Sequence, residues 1–337
     1  MGIVLNDLIE LVNEFQMKDE LRNKKILITG GTGLIGSLTV KFLCLLNSYH
    51  SLGIKVYATA RNLDKALTIV NNNEIEWLIS SLSDELEINS VDYIIHTACP
   101  TQSAFLASHP VEVINETVIG ARNIFELAKK NNARVVYLSS MEIYGQIFEH
   151  KKITENDYGY INHLHPRSCY PESKRLIESL AASYAFEYGS NIMIARLTQT
   201  LGAGGAKDDN RVFAQFARSA INNRKIVLHT EGKSSKSYLY TTDAINALFY
   251  ILLKGEKGKA YNIANENSYI SIFDLACFIK ENFNSEIEVE KEVDTSKGYA
   301  PDTLADLDVT ELKRLGWVAK VDLKEMFYRL INYFKES

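Results

Sequence analysis

Tyr170 and Lys174, in the segment RSCYPESKR, stand four residues apart at the start of a long helical run. Four residues make about one helical turn, so the phenol and the ammonium share a face. A positive charge beside a phenol lowers its pKa toward that of a usable base, and the charge of an oxidised nicotinamide adds to the effect. Ser140, in LSSMEIYG, ends an apolar strand and is placed to hydrogen-bond the same substrate hydroxyl. Glu142, two residues on, has two readings: a base tuned by burial beside a ketone, or a structural hydrogen-bonding group. Met141 lies between them, cannot donate a proton, and is placed among the substrate-facing residues.

A base of this kind needs a hydride acceptor, and the segment TGGTGLIG offers a place for one. Gly30, Gly33 and Gly36 separate a strand from a helix, where glycines allow a tight turn and close approach of a pyrophosphate to the helix N-terminus. Thr32, Leu34 and Ile35 belong to the same cofactor-facing turn, and Ala98, past the fourth strand, completes the set. The second strand ends in Ala60-Arg61-Asn62, with no acid between Gly36 and Asp64 to hold the ribose hydroxyls of NAD. Arg61 either receives the 2′-phosphate of NADP, with Lys65 nearby, or only covers the adenine face.

The elements that carry these residues alternate along the chain. KKILITG, IKVYATA, EIEWLIS, VDYIIHTA, ARVVYLSS and NIMIARLT read as strands, separated by helical runs such as VEVINETVIGARNIFELAKKN. Continuous apolar strands between helices predict an α/β fold, a Rossmann-type doubly wound parallel sheet covered on both faces. Beyond residue 197 the pattern loosens into a smaller α+β unit. The boundaries read as a helical extension over 1–24, a dinucleotide-binding unit over 25–196 with a return at about 236–263, and the smaller unit over 197–235 and 264–337.

A length of 337 residues, 46% hydrophobic and 23% charged, fits an ordinary globular chain. The net charge of −5 is spread without a basic stripe, which argues against a nucleic-acid partner. Cys44, Cys99, Cys169 and Cys277 are isolated, which fits a reducing cytoplasm and argues against disulfides or structural zinc. His163 and His165 have no ligand partners around them, so no metal is expected. Residues 1–20 are amphipathic and lack a basic leader, and no apolar run is long enough to span a bilayer. A cytoplasmic protein without a membrane partner is the expectation.

TGGTGLIG, VDYIIHTA, SSMEIYG, the Tyr170–Lys174 pair and GKSSKSYLYTTDA together make the chain similar to the extended short-chain dehydrogenase/reductases, from about Lys25 to Phe334. Within them it resembles the nucleotide-sugar epimerases, dehydratases and decarboxylases, and HTACP and PRSCYPESKR resemble the UDP-glucuronate decarboxylases most. The resemblance implies that Tyr170 is the base, Lys174 binds the nicotinamide ribose and Ser140 supports the substrate hydroxyl. It implies a nucleotide-sugar substrate in the C-terminal unit, a homodimer through the two long helices, and NAD by family habit, against the NADP leaning of Arg61.

The positions that depart from the family pattern are Thr117, where Asn is usual ahead of Gly120, Gln199 after the sixth strand, and Lys236, where an arginine commonly reaches the substrate diphosphate. Lysine keeps the charge but loses bidentate recognition. Arg211 matches an arginine near the nucleotide. Gln102 and Ser103 either line the sugar pocket or cap the next helix. Met141 stands where 4,6-dehydratases carry a proton-donating Asp. The leading expectation is therefore transient C4 oxidation of a nucleotide-linked sugar followed by epimerisation, in preference to standard 4,6-dehydration. The alternatives are decarboxylation of a nucleotide-linked uronate, NADPH-dependent reduction of a 4-keto sugar, and, remotely, a non-catalytic dinucleotide sensor.

Overall fold

In the computed structural model, which describes residues 2–149, 151–293 and 302–336, the chain begins with helix α1 (Ile3–Glu14). Its apolar face places Leu8, Leu11 and Val12 in the core. The alternating region follows: β1 (Lys25–Thr29), α2 (Leu34–His50), β2 (Lys55–Ala60), α3 (Leu63–Ile69), β3 (Ile75–Ile79), β4 (Tyr93–His96), α4 (Ser103–Ser108), α5 (Pro110–Asn131), β5 (Arg134–Ser140), α6 (Cys169–Glu187) and β6 (Ile192–Leu197). The remaining elements are β7 (Gln199–Leu201), α7 (Val212–Asn222), β8 (Ile226–Leu228), β9 (Ser235–Tyr240), α8 (Thr241–Lys254), β10 (Ala260–Ile263), β11 (Asn265–Ser271), α9 (Ile272–Phe283), β12 (Val289–Lys291), β13 (Leu304–Ala305), α10 (Thr310–Arg314) and α11 (Leu323–Lys335).

Seven parallel strands form the large sheet in the order β10-β6-β5-β4-β1-β2-β3. Alternation along each strand feeds two cores. Ile26 and Ile28 of β1 join the cluster under α2 and α8, while Leu27 joins the one under α5 and α6. The chain runs outward from β1 to β3 and then crosses back to β4. The switch point between β1 and β4 leaves a crevice at the strands' C-terminal ends, where ligands of such sheets bind.

A second sheet has the order β11-β9-β13, with β7 also paired to β9. Residues 236–240 lie in this sheet as β9, so the expected return to the large sheet at about 236 begins instead at Thr241, with α8 and β10. The reason is pairing: β9 runs parallel to β7 and antiparallel to β11, and its apolar residues Tyr238 and Tyr240 enter the core with α7, α9 and α11. The helical extension packs against the large unit. Phe15, just past the end of α1, packs edge-on against Phe42 of α2 at 5.3 Å and Phe249 of α8 at 5.4 Å.

Candidate active site

The turn after β1 has the geometry its glycines predict. Gly30 adopts φ +70°, and a Cβ on Gly36 would lie 2.1 Å from the Gly30 carbonyl oxygen, so only glycine lets the helix approach the turn. A Cβ on Gly33 would meet nothing closer than the Gly30 oxygen at 3.4 Å, so packing within the chain does not demand that glycine. Gly33 is also the N-cap of α2 and supplies no side-chain cap, which leaves the first amides, from Leu34 to Gly36, without a capping side chain. Open space over uncapped amides at the start of a 17-residue helix suits a pyrophosphate. Ala98 sits across the turn, its N–H donating to Thr29 Oγ1 at 3.2 Å. Arg61 follows β2 and is exposed.

Tyr170, Lys174 and Ser140 come together at the C-terminal end of β5. The Ser140 hydroxyl neighbours that of Tyr170 and acts on it as a hydrogen-bonding group. Burial pushes the Tyr170 phenol up, with Cys99 and Glu142 adding to the rise and Ser140 and Arg167 opposing it. The expected lowering by Lys174 is therefore not the dominant effect on this side chain. Lys174 is itself buried, and its Nζ donates to the Leu138 carbonyl at 2.6 Å. The ammonium lies 5.7 Å from the centre of the Tyr170 ring and 4.6 Å from that of Tyr137.

Glu142 belongs to the 3-10 turn Met141–Tyr144, whose start is fixed by its own N–H donating to Ser140 Oγ at 3.2 Å. Its carboxylate is 41% exposed and faces Arg167, with Nη2 3.4 Å from Oε2. A base tuned by burial was one expectation, and this side chain lacks the burial. Lys236, on β9, lies within electrostatic reach of the same carboxylate. Burial pushes the Lys236 ammonium down, Glu142 acts against that shift, and the amine forms no ion pair among the described residues. Met141 is half-buried, its sulfur accepting from Thr198 Oγ1 at 3.4 Å.

Other expected residues lie further out. Arg211 is the N-cap of α7 and holds Asp209 at 2.6 Å. Gln199 opens β7 and is half-buried. Gln102 and Ser103 are exposed at the start of α4, and Gln102 makes no side-chain cap. Thr117 bonds back to the Val113 carbonyl, and a Cβ on the neighbouring Gly120 would meet the Leu82 carbonyl oxygen at 2.6 Å. His96 is wholly buried beside Thr29, and burial pulls its pKa down to about 3. Among the described residues no group of His, Cys, Asp and Glu is arranged to hold a metal, and no helix is long and apolar enough to cross a membrane.

Three features escaped sequence reasoning. Arg167 lies three residues before Tyr170, a spacing that could have marked it. Glu178 lies one turn beyond Lys174 and carries a buried ion pair with Arg196 at 2.7 Å, while also accepting from Ser139. A cavity of about 950 Å³ lies over that pair, lined also by Arg175, Lys259 and Glu311, and contains none of Ser140, Tyr170 and Lys174. The third is Tyr137, one strand position before Leu138.

The sequence and fold have known counterparts. A model of the "NAD dependent epimerase/dehydratase family" matches residues 26–264. UDP-glucuronic acid decarboxylase 6 of Arabidopsis thaliana is 32% identical over 306 residues, covering 90% of this chain and 86% of that protein. UDP-glucuronic acid decarboxylase 5 of the same plant is 33% identical over 90% of this chain and 87% of its own. Among solved structures, the UDP-glucose 4-epimerase of Thermotoga maritima with UDP-glucose has a TM-score of 0.80 at 22% identity, covering 93% of this chain and 99% of that one. The dTDP-glucose 4,6-dehydratase of Streptomyces venezuelae, solved with NAD, has a TM-score of 0.77 at 21% identity, covering 93% and 97%. The matched model spans more than two thirds of the sequence, and the chain belongs to the NAD dependent epimerase/dehydratase family.

Proposed function

We propose that the protein decarboxylates a nucleotide-linked uronate, with NAD as its cofactor. The observation that carries this reading is the ion pair of Arg167 with Glu142 at 3.4 Å beside Ser140 and Tyr170, with the half-buried Lys236 ammonium within electrostatic reach of the same carboxylate. Lys236 is a half-buried ammonium with no ion-pair partner among the described residues, a fit for a substrate carboxylate. The decarboxylase relatives support decarboxylation over the epimerisation that the sequence motifs favoured.

When bound, the oxidised nicotinamide supplies the two-electron chemistry, taking hydride from sugar C4 and returning it. Tyr170 accepts the C4 hydroxyl proton, steadied by the Ser140 hydroxyl. The resulting 4-ketone makes the sugar a β-keto acid. Its C5–C6 bond breaks, CO2 leaves, and the electron pair passes into the enolate at O4. A solvent proton takes the place of CO2 at C5, and Tyr170 gives its proton back to O4 as C4 regains its hydride. Lys236 and Arg167 hold the carboxylate until it leaves. The turn at 30–36 binds the pyrophosphate, with Ala98 facing it, Lys174 holds the nicotinamide ribose, and Arg61 stays in solvent. Gln102, Ser103, Met141, Gln199 and Arg211 line the path from the sugar to the nucleotide, which the smaller sheet and its helices cover.

Epimerisation at C5 is a second reading, supported by the accessible carboxylate of Glu142 next to Ser140. Incubation with nucleotide hexuronates in deuterated water separates the two. CO2 release with deuterium at C5 of a pentose product is the expected result. Deuterium at C5 with the carboxylate retained would establish epimerisation instead. We place a homodimer on α5 and α6, where Val111, Ile114, Leu176 and Phe186 are exposed. Light scattering should give twice the chain mass, and Leu176→Lys should halve it.

A further inference from the structure

Lys174 carries a buried charge on slender support. Its one hydrogen bond among the described residues goes to the Leu138 carbonyl, and the other close group is the face of Tyr137, 4.6 Å below the nitrogen. Tyr137 comes from β5 and is 1% exposed, its ring held edge-on to Phe125 at 6.2 Å and tilted against His96 at 5.7 Å. Its hydroxyl is buried and has no hydrogen-bond partner among the described residues. A buried phenol normally places that hydroxyl on an acceptor, so here the ring and not the hydroxyl has the use.

We propose that Tyr137 is a positioning residue, whose ring face holds the Lys174 ammonium in place beside Tyr170 and the nicotinamide ribose. The inference rests on the roles given above to Tyr170 and Lys174. An aromatic face attracts a cation through its quadrupole, and the attraction grows where water is excluded. The groups around Lys174 leave little else to do this. His96, from β4, is neutral, since burial and Lys174 itself hold its pKa near about 3. Glu178, on α6, is taken up by Arg196 and Ser139. Glu142, Cys99, Ser140 and Arg167 act on the Tyr170 hydroxyl. Without the ring, the ammonium keeps only its bond to the Leu138 carbonyl and is held less firmly beside Tyr170. The positive charge then stands further from Tyr170 on average, and the phenol ionises at higher pH.

The test compares Tyr137→Phe, Tyr137→Leu and Tyr137→Met in the full chain. NAD affinity is measured by calorimetry, and the pH profile of kcat/KM by CO2 release from a nucleotide uronate. Tyr137→Phe keeps the face and should match the parent in both, with a melting temperature no lower, because only an unpaired hydroxyl is lost. The Leu and Met variants should bind NAD ~3- to 30-fold more weakly and move the acid limb of the profile upward. Two aliphatic replacements guard against one that fails to fold. Parent-like affinity in both overturns the proposal, and so does a Phe variant as impaired as Leu. Should the parent release no CO2, the decarboxylase reading fails while the affinity comparison still decides the role of Tyr137.

Discussion

Asp7 of α1 and Arg329 of α11, 322 positions apart, form a largely buried ion pair of 2.9 Å. Asp7 also accepts from the Tyr240 hydroxyl at the end of β9. That hydroxyl in turn lies 3.5 Å from the backbone N–H of Ala203, in the glycine-rich loop. One carboxylate thus ties the N-terminal helix to the smaller sheet and to its last helix. Asp7→Ala should lower the unfolding free energy by about 2 kcal/mol, since it leaves the buried Tyr240 hydroxyl without its acceptor, while Arg329 keeps Glu10 and Glu325. Glu10 pairs with the same arginine from the surface, and its removal should cost about 0.5 kcal/mol. Equal losses in urea unfolding would remove α1 from this bracing role.

Tyr170→Phe removes the hydroxyl that Ser140 acts on and that is proposed above as the base. Turnover should fall by ~10²- to 10⁴-fold, with the fold and nucleotide-sugar affinity kept. Measured CO2 release near the parental rate would exclude Tyr170 as the base.

Much of this arrangement is legible in the sequence because it is local. The glycine turn, the apolar strands and the spacing of Tyr170 and Lys174 are all set within a few residues. What is not legible depends on pairing between distant segments. SKSYLY reads as a strand of either sheet, and only its pairing with β7, β11 and β13 decides which. Asp7 reads as a break in an amphipathic face because its partner is contributed by the far end of the chain. The exposure of Glu142 follows from where the Arg167 turn closes, and the support under Lys174 follows from a strand residue that looks like ordinary core.

Lys236 has two possible anions, the sugar carboxylate proposed here and the diphosphate suggested by its place in GKSSKSY. Lys236→Met distinguishes them. If it holds the carboxylate, affinity for a nucleotide uronate falls ~10- to 100-fold, as for loss of a charged hydrogen bond, while that for the neutral hexose nucleotide barely moves. Equal losses for both ligands in calorimetry would assign it to the diphosphate.

Asp243, in the first turn of α8, accepts from the backbone N–H groups of Lys320 and Val321 at 3.0 Å and is 3% exposed. Burial outweighs those donors and pushes its pKa up to about 6, from an ordinary 3.8. The native state therefore holds this proton more tightly than the unfolded chain does. The resulting stabilisation is complete below about pH 4 and is lost as pH rises through about 6. A rise from 3.8 to about 6 corresponds to about 3 kcal/mol at most. Asp243→Asn cannot ionise, so the stability of the parent relative to this variant should fall by that order between pH 4 and pH 7. Urea unfolding at several pH values measures the difference directly. Parallel curves for the two proteins would show that the backbone donors, and not burial, set the charge on Asp243.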